Sequence, residues 1–251
     1  MWMKQTLWQS QDIVLGWANL IPSPVATQAI AAAGADWVMI DQEHGPVGWE
    51  SLHAMIAATA GTRCSPWVRV PAAEPAHVKP ALDAGAEGIK FPLVTSAADA
   101  ANCVALTRYP PLGRRGWGPF VAHARWGAEL RSYGVQQGLQ IVCILLIETR
   151  AAIESIEEIC RVDGVDGLFI APFDLSTDLG VSGDLDSPEL KRAISHAERA
   201  ILSAGIPLGG VAFNREHTAE LVGRGYRIIG QGFDVLALAQ SVRQAAQWRT
   251  A

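Results

Sequence analysis

The sequence predicts an α/β fold in which a single (β/α)8 TIM barrel spans residues 1–251. Three observations predict it. Short uninterrupted apolar runs, such as Ile141 to Ile147 and Gly167 to Ile170, have the look of parallel strands buried on both faces. Strand and helix signals alternate along the chain, which favours a closed barrel over an open doubly wound sheet. The length of 251 residues matches the ~250 typical of one such barrel.

The elements follow in order. Ile13 to Ala18 reads as the first strand. Ser23 caps a helix that runs through Ala33, with Pro24 at its first position and Gly34 ending it. Asp36 to Ile40 is the second strand, and Trp49 to Ala60 its helix. Pro66 to Val70 is the third strand, followed by a helix through Leu82. Gly88 to Val94 is the fourth, with a helix from Ser96 to Arg108. Tyr109 to Gln140 breaks the rhythm and is too long for an ordinary connection; a helix is expected around Ala124 to Tyr133. The fifth strand ends at Glu148 and the sixth at Ala171. A loop through Gly183 precedes a helix from Ser187 to Ala204. Leu208 to Phe213 and Tyr226 to Gln231 are the last strands, and Val235 to Trp248 the last helix.

Composition narrows the function. With 49% hydrophobic and 18% charged residues the chain is globular. A net charge of −5 argues against a nucleic-acid surface, although a local Arg can still receive a small anion. No apolar run is long enough to span a membrane, and the first residues show no signal-peptide core, so a cytoplasmic protein is expected. Cys64, Cys103, Cys143 and Cys160 lack metal or redox spacing and read as reduced, structural residues.

Glu148 and Asp174 each follow a buried strand, on the face where barrels carry their chemistry. Two carboxylates there suit one hard divalent cation completed by water and substrate; helix capping is the competing explanation, because Asp174 and Thr149 each lie near a helix or turn start. His44 follows the second strand and suits proton transfer, or it is an ordinary loop residue. Arg69, the one charge in an apolar strand, suits a carboxylate or a polarised carbonyl, or it forms a structural ion pair. Asp83 ends a helix and matters only if the fold brings it to His44. Lys90 lies inside a strand; it suggests a Schiff base, or a stem that carries its ammonium to a partner. The run Gly113 to Gly118, with Arg114 and Arg115, offers an anion site or a flexible turn. The Gly209-Gly210 pair indicates close packing.

Taken together, the motifs Ile40-Asp-Gln-Glu-His-Gly45, Val68-Arg69, Leu82-Asp83-Ala-Gly85, Arg108-Tyr-Pro-Pro-Leu-Gly113, Arg115-Gly116, Ile147-Glu-Thr-Arg150, Val165-Asp-Gly167 and Pro172-Phe-Asp-Leu-Ser176 resemble one family. It is the HpcH/HpaI family of metal-dependent class II pyruvate aldolases, of the 4-hydroxy-2-oxoheptanedioate and 2-dehydro-3-deoxyglucarate aldolase type. The match runs from about Leu15 to the last helix. The resemblance implies a barrel of the phosphoenolpyruvate/pyruvate-binding type, its last helix exchanged between subunits of a homo-oligomer, usually a hexamer built as a trimer of dimers. It implies Mg2+, Mn2+, Co2+ or a similar ion on Glu148 and Asp174. It implies formation or cleavage of 4-hydroxy-2-oxo acids, from pyruvate or hydroxypyruvate and an aldehyde, through a metal-bound enolate. Arg69 would neutralise the enolate oxygen. Pro172, Phe173 and Asp174 would contact the 2-oxo acid. His44, hydrogen-bonded to Asp83, would handle protons at the aldehyde end.

The chain departs from the family at three places. Leu146 stands where a Gln is common, Ala171 where a Gly is common, and Lys90 where an apolar residue is expected. Three alternatives remain beside the aldolase: a Schiff-base lyase using Lys90, an acyl-CoA or citrate-type lyase or synthase, and a barrel retained only for binding.

Overall fold

A computed structural model describes residues 2–250. Eight parallel strands close into a barrel in sequence order. The strands are β1 (Val14–Asn19), β2 (Trp37–Asp41), β3 (Ser65–Arg69), β4 (Gly88–Phe91), β5 (Val142–Ile147), β6 (Gly167–Ile170), β7 (Leu208–Val211) and β8 (Tyr226–Phe233). Around them run α1 (Met3–Gln9), α2 (Pro24–Ala32), α3 (Trp49–Ala57), α4 (Pro75–Asp83), α5 (Ala97–Thr107), α6 (Ala122–Arg125) and α7 (Tyr133–Gln136). The ring is completed by α8 (Arg150–Glu154), α9 (Ile156–Ile159), α10 (Pro172–Asp178), α11 (Pro188–Ser203), α12 (Arg215–Gly223) and α13 (Asp234–Gln247). No helix is long and apolar enough to cross a membrane among the described residues.

Local chemistry accounts for many boundaries. The Ser23 side chain accepts the Ala26 N–H, with Pro24 opening α2. Ser96 and Thr149 cap α5 and α8 in the same way. The expected helix over Ala124 to Tyr133 is instead broken. It ends at Arg125, Gly127 takes φ 61°, and a short 3-10 turn at Leu130–Ser132 precedes α7. The expected loop after Asp174 holds helix α10. Helix α1 was not anticipated; it is short, and its buried residues are only Met3 and Leu7.

Two apolar layers form the core. The outer one lies between strands and helices. The inner one fills the barrel with Val14, Trp37, Trp67, Val142, Ile144, Leu146, Phe169 and Ile228. Trp37 and Trp67 stack at 4.8 Å with an interplanar angle of 5°. Gly16 and Gly88 make room for them, because a Cβ at either position would run into an indole ring. Gly209 likewise faces Phe169. All four cysteines are free, and Cys64, Cys103 and Cys143 are buried.

Helix α1 seals the bottom of the barrel, with Met3 and Leu7 joining the inner core. Its latch is Asp166, which is 1% exposed. The carboxylate pairs with Lys4 at 2.9 Å and accepts from Trp8 Nε1 at 2.9 Å, Arg108 Nη2 at 3.1 Å and the Cys143 N–H at 2.9 Å. Arg108 also donates to the Ile141 and Gly164 carbonyls. The motifs around Arg108 and Asp166 therefore build the base of the barrel. Asp166→Ala leaves Arg108 buried without its carboxylate and frees α1. We expect a loss of about 3–5 kcal/mol, read as a lower urea midpoint.

Candidate active site at the C-terminal mouth

Parallel strands deliver their C-terminal ends to one mouth. Asp41 ends β2 and Arg69 ends β3, and the register places them side by side. Arg69 Nε donates to Asp41 Oδ1 at 3.0 Å and Nη2 to Oδ2 at 2.5 Å. Nη1 lies 3.1 Å from Glu43 Oε2. Asp41 is fully buried, and Arg69 is 8% exposed. Burial alone would push the Asp41 carboxyl up, but the Arg69 pair outweighs it and holds the pKa below the usual value. The Asp41 carboxylate also accepts the Glu43 and His44 N–H groups, so one side chain shapes the whole loop.

Two strands further round the barrel from Arg69, Glu148 follows β5 and is 4% exposed. Its Oε1 accepts the Leu93 N–H at 2.5 Å. To donate, Leu93 takes φ 55°, a left-handed conformation uncommon for a non-glycine residue. Burial first, and then the charges of Asp174 and Glu43, raise the Glu148 pKa to about 7. Asp174 lies in the first turn of α10, where Ala171 is the N-cap and makes no side-chain cap. Its exposed carboxylate has no hydrogen bond or ion pair among the described residues, so the capping explanation fails for Asp174. It holds for Thr149.

At the mouth lies a cavity of about 70 Å³. Arg69, Lys90, Leu146, Phe169, Pro172, Phe173 and Asp174 are among the residues that line it. The volume suits a molecule of a few non-hydrogen atoms.

The model of the HpcH/HpaI aldolase/citrate lyase family matches residues 17–241. The chain belongs to the HpcH/HpaI aldolase/citrate lyase family. It is 40% identical over 243 residues to a hydroxypyruvate/pyruvate aldolase of Roseovarius nubinhibens, covering 96% of this chain and 94% of that one. It is 36% identical over 232 residues to a 4-hydroxy-2-oxo-heptane-1,7-dioate aldolase of Salmonella dublin, covering 92% and 87%. Among solved structures, an HpcH/HpaI aldolase/citrate lyase family protein from Burkholderia cenocepacia superposes with TM-score 0.94 at 34% identity, covering 99% of both chains.

Within this HpcH/HpaI barrel the expected residues divide between two ends. Arg69, Glu148, Pro172, Phe173 and Asp174 meet at the mouth. His44 stands on its rim with 60% of its side chain exposed, and its ring has Glu43 as neighbour at 3.8 Å. Within one chain Asp83 does not reach His44. It ends α4, which descends from the mouth, so it lies at the opposite end of the barrel. There it pairs with Arg115 at 3.0 Å. The expected anion site at Arg115 is corrected by the same contact: the guanidinium lies 4.6 Å from the Tyr109 ring centroid and is 3% exposed.

Three contributors were missed from sequence. Asp41 and Glu43 stood inside a quoted motif, and their alternation with a strand end was the available signal. Leu93 acts through its backbone, and no residue-type signal marks such a role.

The raised Glu148 pKa fixes a pH dependence. Its folded value of about 7 exceeds the ordinary carboxylate value, so the folded state holds this proton more tightly. Its contribution is greatest below the ordinary value and is lost as pH rises towards 7. Metal-free Glu148→Gln should thus be more stable than wild type by up to about 3 kcal/mol near pH ~8. The gap should close below the ordinary carboxylate pKa, as followed by urea unfolding across pH.

Proposed function

We propose that this protein is a divalent-metal-dependent aldolase. It forms or cleaves 4-hydroxy-2-oxo acids, using pyruvate or hydroxypyruvate and an aldehyde. One observation carries the reading: Arg69 and Asp174 line one small cavity at the C-terminal mouth, and Glu148 stands close enough for the Asp174 charge to raise its pKa, with neither carboxylate ion-paired among the described residues. The names of the two aldolase relatives support the choice of donor.

Glu148 and Asp174 would hold the ion. The donor set fits: both are hard oxygen ligands, and Glu148 sits where burial and like charge disfavour its anion in the absence of a cation. No cluster of three or more metal-binding side chains exists among the described residues, so water and substrate would complete the shell. When bound, a divalent cation supplies Lewis acidity to a 2-oxo acid's carbonyl.

The chain's own residues do the rest. Asp41 and Glu43 fix the guanidinium of Arg69, which leaves two of its five N–H donors for a ligand. Those donors stabilise negative charge growing on the keto oxygen during enolate formation. His44, exposed on the rim, exchanges a proton with the hydroxyl of the aldol. Pro172 and Phe173 close the wall beside Asp174, with Phe173 set edge-on against Phe213 at 5.6 Å. An apolar face on α13 supports a homo-oligomer, since Val235, Leu238 and Val242 share one side of the helix and are 39%, 60% and 62% exposed.

EDTA should abolish both aldol turnover and solvent deuterium exchange into pyruvate, and Mg2+ or Mn2+ should restore them. Arg69→Lys should lower exchange by about 10²–10³-fold, the scale of a lost oxyanion donor. Full exchange in EDTA would overturn the reading.

Because Asp83 lies at the far end of its own barrel, it can serve His44 only from a neighbouring copy. Particles mixed from His44→Ala and Asp83→Asn chains should then recover aldol activity that neither variant has alone. Mixed particles as inactive as the parents would remove Asp83 from the mechanism.

A further inference from the structure

Lys90 is the one cation at the floor of the cavity. It lies beside Arg69 across the β3–β4 pair, so both side chains enter the barrel. It is 3% exposed. Its Nζ lies 3.1 Å from the Phe169 ring centroid and 5.8 Å from that of Trp37, and it has no hydrogen bond or ion pair among the described residues. The carboxylates nearest in charge are turned to other partners: Asp41 and Glu43 to Arg69, and Glu148 to Leu93. The floor residues Ala18, Met39, Leu146, Val211 and Gly230 offer no side-chain acceptor.

A buried nitrogen donor facing a cavity without an acceptor calls for an explanation, and an arriving ligand provides one. We propose that Lys90 is a specificity-determining residue that grips the carboxylate of a short 2-oxo acid from below. The inference rests on the aldolase reading. A three-carbon 2-oxo acid has two oxygenated groups. Arg69 and the cation that Glu148 and Asp174 would hold take the keto oxygen, which leaves a carboxylate oxygen for Lys90. Leu146 leaves no competing amide on the neighbouring strand. Burial, and then Arg69, hold the Lys90 pKa well below the usual lysine value, so the empty floor tolerates the amine. Among the described residues no acid or base is hydrogen-bonded to Nζ to carry water away from a carbinolamine.

The test uses the Mg2+-loaded protein, with pyruvate and its neutral ester methyl pyruvate as probes in titration calorimetry. Lys90→Met keeps the unbranched stem and removes the donor. Pyruvate affinity should fall about 10- to 100-fold, the range for a charged hydrogen bond. Methyl pyruvate affinity should hold within about twofold, since the ester has no anion to pair. Deuterium exchange at saturating pyruvate should persist, with the loss appearing in KM. The melting temperature should not drop, because an unpaired buried amine is replaced by a thioether of similar size. Should Lys90→Met fail to fold, Lys90→Gln retains a donor and should show an intermediate pyruvate affinity.

Equal losses for both probes, or unchanged pyruvate binding, would overturn the proposal. So would a borohydride-reduced pyruvyl adduct on Lys90. Wild type that neither binds nor exchanges pyruvate would overturn the aldolase reading as well, whereas failure confined to the variant comparison overturns Lys90 alone.

Discussion

The mouth of this barrel depends on the buried pair of Arg69 and Asp41. An arginine cannot shed its charge inside a protein, so its burial at a strand end requires a carboxylate in the correct plane. Asp41 supplies it from the adjacent strand, with both oxygens engaged. The same carboxylate takes two backbone N–H groups of the following loop. One interaction thereby ties β2 to β3, sets the tilt of Glu43 and puts His44 on the rim. Removing either partner would leave an uncompensated buried charge, so folding and chemistry are inseparable at this pair.

The two ends of the barrel use charge differently. At the base, Asp166 gathers Lys4, Trp8, Arg108 and a backbone N–H, and every acceptor site is spent on structure. At the mouth, burial first, and then the charges of Asp174 and Glu43, push Glu148 up to about 7. Carboxylates held close together without an ion pair cost a fold stability, and perturbed groups of this kind cluster at functional sites. Several motifs that mark the family are thus structural, and family resemblance alone does not separate them from the reacting residues.

The barrel interior links the ends. Trp37 and Trp67 fill the lower layer, α1 closes it from below, and the small cavity remains above. Lys90 and Leu146 put one cation and one apolar side chain into the wall of that cavity.

Much of the architecture was legible in sequence because burial on both faces of a parallel strand leaves an unbroken apolar run, and because Ser-Pro and Gly mark helix ends locally. That reasoning reached the strands, most helices and the strand-end positions of Arg69, Glu148 and Asp174. Helix α1 escaped it, since two apolar residues in a short segment carry no periodicity. The breaking of the helix near Gly127 also escaped it. Only the tertiary structure decided which charges meet. Arg69 chose Asp41 and Glu43, Asp83 went to Arg115 and away from His44, and Leu93 lent its N–H to Glu148. Periodicity and capping are local properties of the chain. Pairing across a closed barrel is set by register and strand order, which no single segment encodes.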